Sequence, residues 1–141
     1  MTLRVSTAYL IATLQDARTR TLELVSGLDQ AQLMGPKIQT VNPLRWEIGH
    51  IAYFYEFFIL RQLYGHDSVL GLKADKLYDS IAVTHDTRWD LPLLSMTETL
   101  GYMQNVLDKL CEHLSNNNED GLASEKDSFI YQFGAFHEDM H

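Results

Sequence analysis

Two histidines four residues apart, His137 and His141, lie in the string His137-Glu138-Asp139-Met140-His141. On a helix such residues sit one turn above each other, so both imidazoles can reach one ion at ~2.0–2.1 Å from each nitrogen. Read literally, the string is H-E-x-x-H, in which Glu138 would activate a metal-bound water as in zinc proteases. Those enzymes need a further ligand, usually downstream, and none follows His141 in this sequence. The plainer alternative is a helix end whose imidazoles meet the C-terminal dipole. A third histidine argues for the metal. His50 falls within a second helical segment, with Trp46, Tyr53 and Phe57 at helical spacing on its face. Alone it would read as a core histidine. Gly49 beside it costs up to ~1 kcal/mol inside a helix, which predicts a close approach by another element or a substrate.

Other side chains carry weaker signals. Arg88, in His85-Asp86-Thr87-Arg88-Trp89-Asp90, reads as a loop ion pair with Asp86 or Asp90. Glu56 is expected to pair with Arg45 or Arg61, or to support His50. Cys111 reads as a packed thiol. As a nucleophile it would need His113 or His66 as a base, and both read as surface histidines. The run Tyr53, Phe54, Tyr55, Phe57 and Phe58 reads as core, with a cation–π cage for a quaternary ammonium as the chemical alternative.

Four helices must position these groups. The first is expected over 6–28, with Leu10, Leu14, Ala17, Thr21, Leu24 and Leu28 on one face and Gly27 as its stop. The second should begin with Asn42 as N-cap and Pro43 at the first position, and run to Tyr64-Gly65. The third opens on a capping box, Ser95 to Glu98, and carries Met96, Leu100, Met103, Leu107, Leu110 and Leu114. The fourth, from Ser124, is expected to turn Ile130, Phe133, His137 and His141 into the bundle. No segment alternates like a strand. The expected architecture is an all-α four-helix bundle, with a long connection over 65–94 between the second and third helices.

Composition narrows the function. The 141 residues make one domain and are 45% hydrophobic, which suits a folded core. The net charge of −8 leaves no basic excess for nucleic acid or an anionic membrane. All of the acidic excess falls in residues 71–141. The lone cysteine suits a reducing compartment, and the N-terminus lacks a signal-peptide pattern, so a cytoplasmic protein is expected.

The residues Asn42-Pro43, Trp46, Gly49-His50, Phe54 and Glu56, followed far downstream by His-x-x-x-His, resemble the DinB-like metal-binding bundle. The nearer resemblance is to the bundle at the N-terminus of ergothioneine-type non-heme iron sulfoxide synthases, a group spanning ergothioneine, ovothiol and selenoneine pathways. The similarity runs over nearly the whole chain and is strongest at 42–61, 78–95 and 131–141. It implies that His50, His137 and His141 hold Fe(II). It also implies that a small-molecule thiol, or a selenium analogue, is joined to a histidine-derived betaine using O₂. Other DinB-like proteins use zinc or nickel for hydrolysis or thiol transfer, which is the alternative activity for a stand-alone chain. Arg88 falls where the synthases hold the thiol's carboxylates, and His85 stands where a second arginine would be expected. Met140 replaces a polar residue that touches the betaine, which implies a different amine substrate or a different hold on it. In the synthases a second domain follows. Residues 1–141 are therefore expected to be the N-terminal DinB-like domain of a longer two-domain oxidoreductase, weakly active alone, and His141 as the last residue fits that. A degenerate bundle used for homodimerisation is the non-enzymatic alternative.

Overall fold

Ser6 accepts a hydrogen bond from the Tyr9 N–H and starts α1 (Thr7–Val25). In the computed structural model, which describes residues 3–141, α1 buries Leu10, Leu14, Ala17 and Thr21, the stripe expected from spacing. It stops before Leu28, however, and Val25 rather than Leu24 completes the buried face. A short α2 (Gln30–Met34) follows, closed by a reciprocal capping box between Asp29 and Gln32. That Asp-x-x-Gln signal is visible in the sequence but was not part of the expected four-helix pattern.

The helix α3 (Leu44–Tyr55) begins one residue later than expected, with Pro43 in the capping position. Asn42 does not cap it. Its side-chain amide instead donates to Glu47 at 2.7 Å, and its carbonyl accepts from Arg88 at 2.9 Å. The expected long second helix changes geometry at Glu56 and continues as a π-helical turn over Glu56–Arg61. Glu56 is fully buried there, and its carboxylate accepts from Tyr102 Oη and the Val69 N–H, each at 2.7 Å. It pairs with neither Arg45 nor Arg61, and it does not support His50. Arg61 instead binds Asp75 at 2.8 Å, which also accepts from Tyr53 Oη.

The long connection is not a bare loop. It carries α4 (Lys73–Tyr78) and a 3₁₀ turn at His85–Thr87, and it buries Leu77, Tyr78, Val83, Leu93 and Leu94. The Ser95–Glu98 capping box then starts α5 (Met96–Asn116), which buries Met103, Leu107, Leu110 and Leu114 together with Tyr102 and Val106. Ser124 caps α6 (Glu125–Met140). Among the described residues there is no strand, and no helix is long and apolar enough to cross a membrane.

The helices α1 and α3 each pack on both α5 and α6, closing a four-helix ring. The rotation of α6 differs from expectation and matters most for the site. Its buried face is Tyr131, Gly134, Ala135 and Glu138, while Phe133 is 47% exposed. The cause is steric and polar. A Cβ on Gly134 would lie 2.7 Å from the Tyr55 ring, so α6 approaches α3 through its smallest residue. Glu138 is then drawn inward, accepting from Arg18 Nε at 3.1 Å, Thr21 Oγ1 at 2.8 Å and Tyr55 Oη at 2.9 Å. Turning Glu138 in leaves His137 and His141 on the flank of the bundle, facing α3.

Candidate metal centre

His50 is buried on α3, His137 is half-buried on α6, and His141 lies exposed just past the end of α6. One ligand nitrogen from each lies within 4.8 Å of the other two. Separate contacts orient each of the three rings. His50 Nδ1 donates to the Tyr78 carbonyl at 2.8 Å, which leaves Nε2 with its lone pair free. Its ring stacks on Trp46 at 4.7 Å, and the Arg88 guanidinium covers the far face of Trp46 at 4.0 Å. His141 Nδ1 meets the Glu47 carboxylate at 2.5 Å, which likewise turns its Nε2 toward the cluster. A carboxylate behind a ligating imidazole raises its basicity and fixes its tautomer. His137 is held by stacking, 3.7 Å from the Phe54 ring at an interplanar angle of 12°.

These residues fit a metal ion. The Nε2 atoms of His137 and His141 are 3.2 Å apart. Two nitrogens bound side by side to one ion at ~2.1 Å would be ~3.0–3.4 Å apart, for angles between octahedral and tetrahedral. His137 Nδ1 is buried with no hydrogen-bond partner, and the polar contact of the ring is from its Nε2 to His141 Nε2. Burial lowers the basicity of His50, and burial with the neighbouring His141 and His50 pushes His137 down to about 3. Both rings are therefore neutral near pH 7, the form that binds metal. Burial alone would raise the Glu47 carboxyl, but hydrogen bonds from His141 and Asn42 outweigh it and hold Glu47 ionised.

Glu138 does not take the part of a metalloprotease base. Its carboxylate is held in the core by Arg18, Thr21 and Tyr55 rather than directed at the imidazoles. Arg88 and His85, the expected substrate contacts, are both hydrogen-bonded within the fold, with Arg88 Nε left unpartnered. Arg88 is buried, and it spends Nη1 on Asn42 and Nη2 on the Ser80 and Val83 carbonyls. It pairs with neither Asp86 nor Asp90. His85 Nε2 binds the Val41 carbonyl at 2.6 Å. Both residues clamp the long connection onto the entrance to α3, and Arg88 braces His50 through Trp46. Gly49 admits Tyr78, since a Cβ there would fall 2.3–2.9 Å from the Tyr78 ring. Met140 is 66% exposed.

Sequence reasoning missed Glu47. Its spacing of three from His50 puts it on the same helix face, and that was the available signal. It also missed the cavity. A space of about 270 Å³ opens beside His50 and His137, walled by Tyr53, Phe54, Phe57, Phe58 and Ile81, with Asp79 and Ser80 at its edge. The aromatic run is therefore divided, Tyr55 serving the core and the others facing this space.

Two expected results follow from the local geometry. Glu47→Gln removes the carboxylate behind His141 and should weaken metal affinity by about 10–100-fold, read by competition with a chelator. Gly49→Ala forces a methyl group into Tyr78, whose carbonyl orients His50. It should lower stability by about 1–3 kcal/mol in urea unfolding and weaken metal binding in the same variant.

The chain is an all-α bundle that brings three imidazoles from two helices together. More particularly, the chain belongs to the DinB superfamily, whose family model matches residues 13–141. It is 32% identical over 126 residues to a hercynine oxygenase of Mycobacterium tuberculosis, covering 89% of this chain and 28% of that protein. It is 31% identical over 138 residues to the hercynine oxygenase of Mycolicibacterium thermoresistibile, covering 95% of this chain and 29% of that one. A third similar protein, the hercynine oxygenase of Mycolicibacterium smegmatis, is 31% identical over 128 residues. The chain thus spans under a third of the length of these relatives.

Proposed function

We propose that this chain is the metal-binding domain of a non-heme Fe(II), O₂-dependent sulfoxide synthase-like enzyme, which joins a small-molecule thiol or its selenium analogue to a histidine-derived betaine. The convergence of His50, His137 and His141 beside an aromatic cavity carries this reading, together with the similarity to oxygenases named for hercynine. Iron held by three imidazoles would supply open positions for substrate and O₂. The rest is work for this chain's own residues. The Tyr78 carbonyl and Glu47 hold the protons on the outer nitrogens of His50 and His141. Trp46 and Phe54 keep the rings of His50 and His137 from turning. Tyr53, Phe54, Phe57 and Phe58 exclude water on one side of the cluster. Their faces, with the Asp79 carboxylate near, suit the quaternary ammonium of a betaine.

In this reading Arg88, whose Nη atoms are held by Asn42 and the Ser80 and Val83 carbonyls, serves the fold, and the contact to the substrate's carboxylate comes from elsewhere. Residues outside this chain are proposed to supply that contact and the rest of the pocket. The share of the relatives' length that it spans supports a longer working polypeptide. The single cysteine, Cys111, is half-buried, and burial raises its thiol's pKa, so it is a poor nucleophile and suits a reducing cytoplasm.

The test uses the full natural polypeptide, loaded anaerobically with Fe(II) and given hercynine and a cysteine-containing thiol. O₂ uptake coupled to a product with a new C–S bond, seen by mass spectrometry, is expected. Hydrolysis or thiol transfer with zinc or nickel, at equal rates with and without O₂, would contradict it.

A further inference from the structure

A second pair of imidazoles lies at the far end of the bundle from the first cluster. His66 follows the π-helical turn that extends α3, and His113 sits in the last turn of α5. Sixteen residues separate His50 from His66 along an almost continuous helix, which places the two groups on the order of 20 Å apart. The Nε2 atoms of His66 and His113 are 2.7 Å apart, with the rings inclined at 63°.

Their positions are built rather than accidental. Tyr64 stacks on His113 at 3.9 Å and 13°. The Asn117 amide lies 3.2 Å from His113 Nδ1 and Nε2 is turned to His66; with the amide nitrogen donating, the proton sits on Nε2, and ligation through Nε2 requires the amide to turn its oxygen to Nδ1 instead. The His66 backbone N–H is fixed to the Leu60 carbonyl at 2.8 Å. Two neutral imidazoles cannot face each other lone pair to lone pair at this distance. Either one proton or one cation lies between them. Adjacent ligands on a single ion at ~2.1 Å would be ~3.0–3.4 Å apart, so an ion needs the pair to open by about 0.3–0.7 Å.

Glu112 and Lys109 line the mouth of the pair, one carboxylate against one ammonium. The pair opens onto a cavity of about 240 Å³, lined also by Lys109, Glu112 and Asn116, with room for the waters that would complete a coordination sphere.

We propose that His66 and His113 form a second divalent transition-metal site, with two imidazole nitrogens and water as ligands, tying the end of α3 to α5. Imidazole donors without thiolate suit zinc, nickel and copper, with copper the tightest in the usual order. The site is independent of the three-histidine cluster, and its failure would leave the proposed function untouched. Because such an ion binds only when both elements are folded and adjacent, it adds to stability by mass action.

Zinc is the probe. Equilibrium dialysis of the intact chain is expected to show two ions bound per chain. The double variant His50→Ala, His137→Ala should retain one ion, and its melting midpoint should still rise with added zinc. Adding His66→Asn to that variant should abolish both the remaining ion and the rise, with the circular dichroism spectrum unchanged. His113→Asn should act like His66→Asn. A His50→Ala, His137→Ala variant that stays folded and takes up no zinc would overturn the proposal and leave a shared proton between the rings. So would zinc uptake by it that survives His66→Asn.

Discussion

His50→Ala is expected to abolish stoichiometric metal binding at the three-histidine cluster. His137 and His141 sit one turn apart and can hold an ion between them, but only His50 brings a ligand from α3. Zinc-finger sites gain about 10–16 kcal/mol from four ligands, so one lost ligand is worth about 3–4 kcal/mol, or a fall in affinity of roughly 10²–10³-fold. His50 is buried, and its removal also leaves the Tyr78 carbonyl without its donor. The loss should therefore exceed that caused by His141→Ala, whose ring is at the surface and whose outer contact is a solvent-reachable carboxylate. Anaerobic dialysis against Fe(II), with iron measured per folded chain, reads this order directly. Equal iron in the wild type and in His50→Ala would remove His50 from the ligand set.

Glu138→Ala is expected to act on the fold first and on the metal only through it. Arg18 and Glu138 are almost completely buried, and the carboxylate receives three hydrogen bonds from α1 and α3. Truncation strands a buried guanidinium, whose Nη2 already lacks a partner. Breaking one side of such a pair costs about 3–5 kcal/mol. For a domain of this size that corresponds to a melting midpoint lower by on the order of 10 °C. Glu138→Gln, which keeps acceptors for Thr21 and Tyr55, should lose less. A metalloprotease base would give the reverse pattern, with Gln abolishing hydrolysis at unchanged stability. Matched melting curves and iron titrations of Glu138→Ala and Glu138→Gln separate the two.

Much of the architecture was readable because helices advertise themselves. The Ser95–Glu98 box, the α5 stripe and the Ser124 cap lie where local chemistry places them. The three histidines could be named because i,i+4 spacing puts His137 and His141 together whatever the rotation of α6. That rotation was not readable. Ile130 and Phe133 make the stronger hydrophobic signal, yet α6 buries Gly134 and Ala135, whose value is closeness to Tyr55 and which no hydrophobic pattern reveals. The role of Arg88 was hidden for a related reason. Its partners are backbone carbonyls and a side chain 46 positions away, and neither the type nor the spacing of residues encodes those. Glu56 misled because charge suggested an arginine partner, whereas its acceptors are filled by a tyrosine and a backbone N–H. The clamps at His85 and Arg88 exist only once the long connection has folded back on the entrance to α3.

The most direct test of the three-histidine centre is anomalous scattering at the iron edge from crystals grown anaerobically with Fe(II). One peak at ~2.0–2.2 Å from a nitrogen of each of His50, His137 and His141 is the predicted result. Crystals grown with ample iron that show no peak there, with the three imidazoles turned apart, would contradict it.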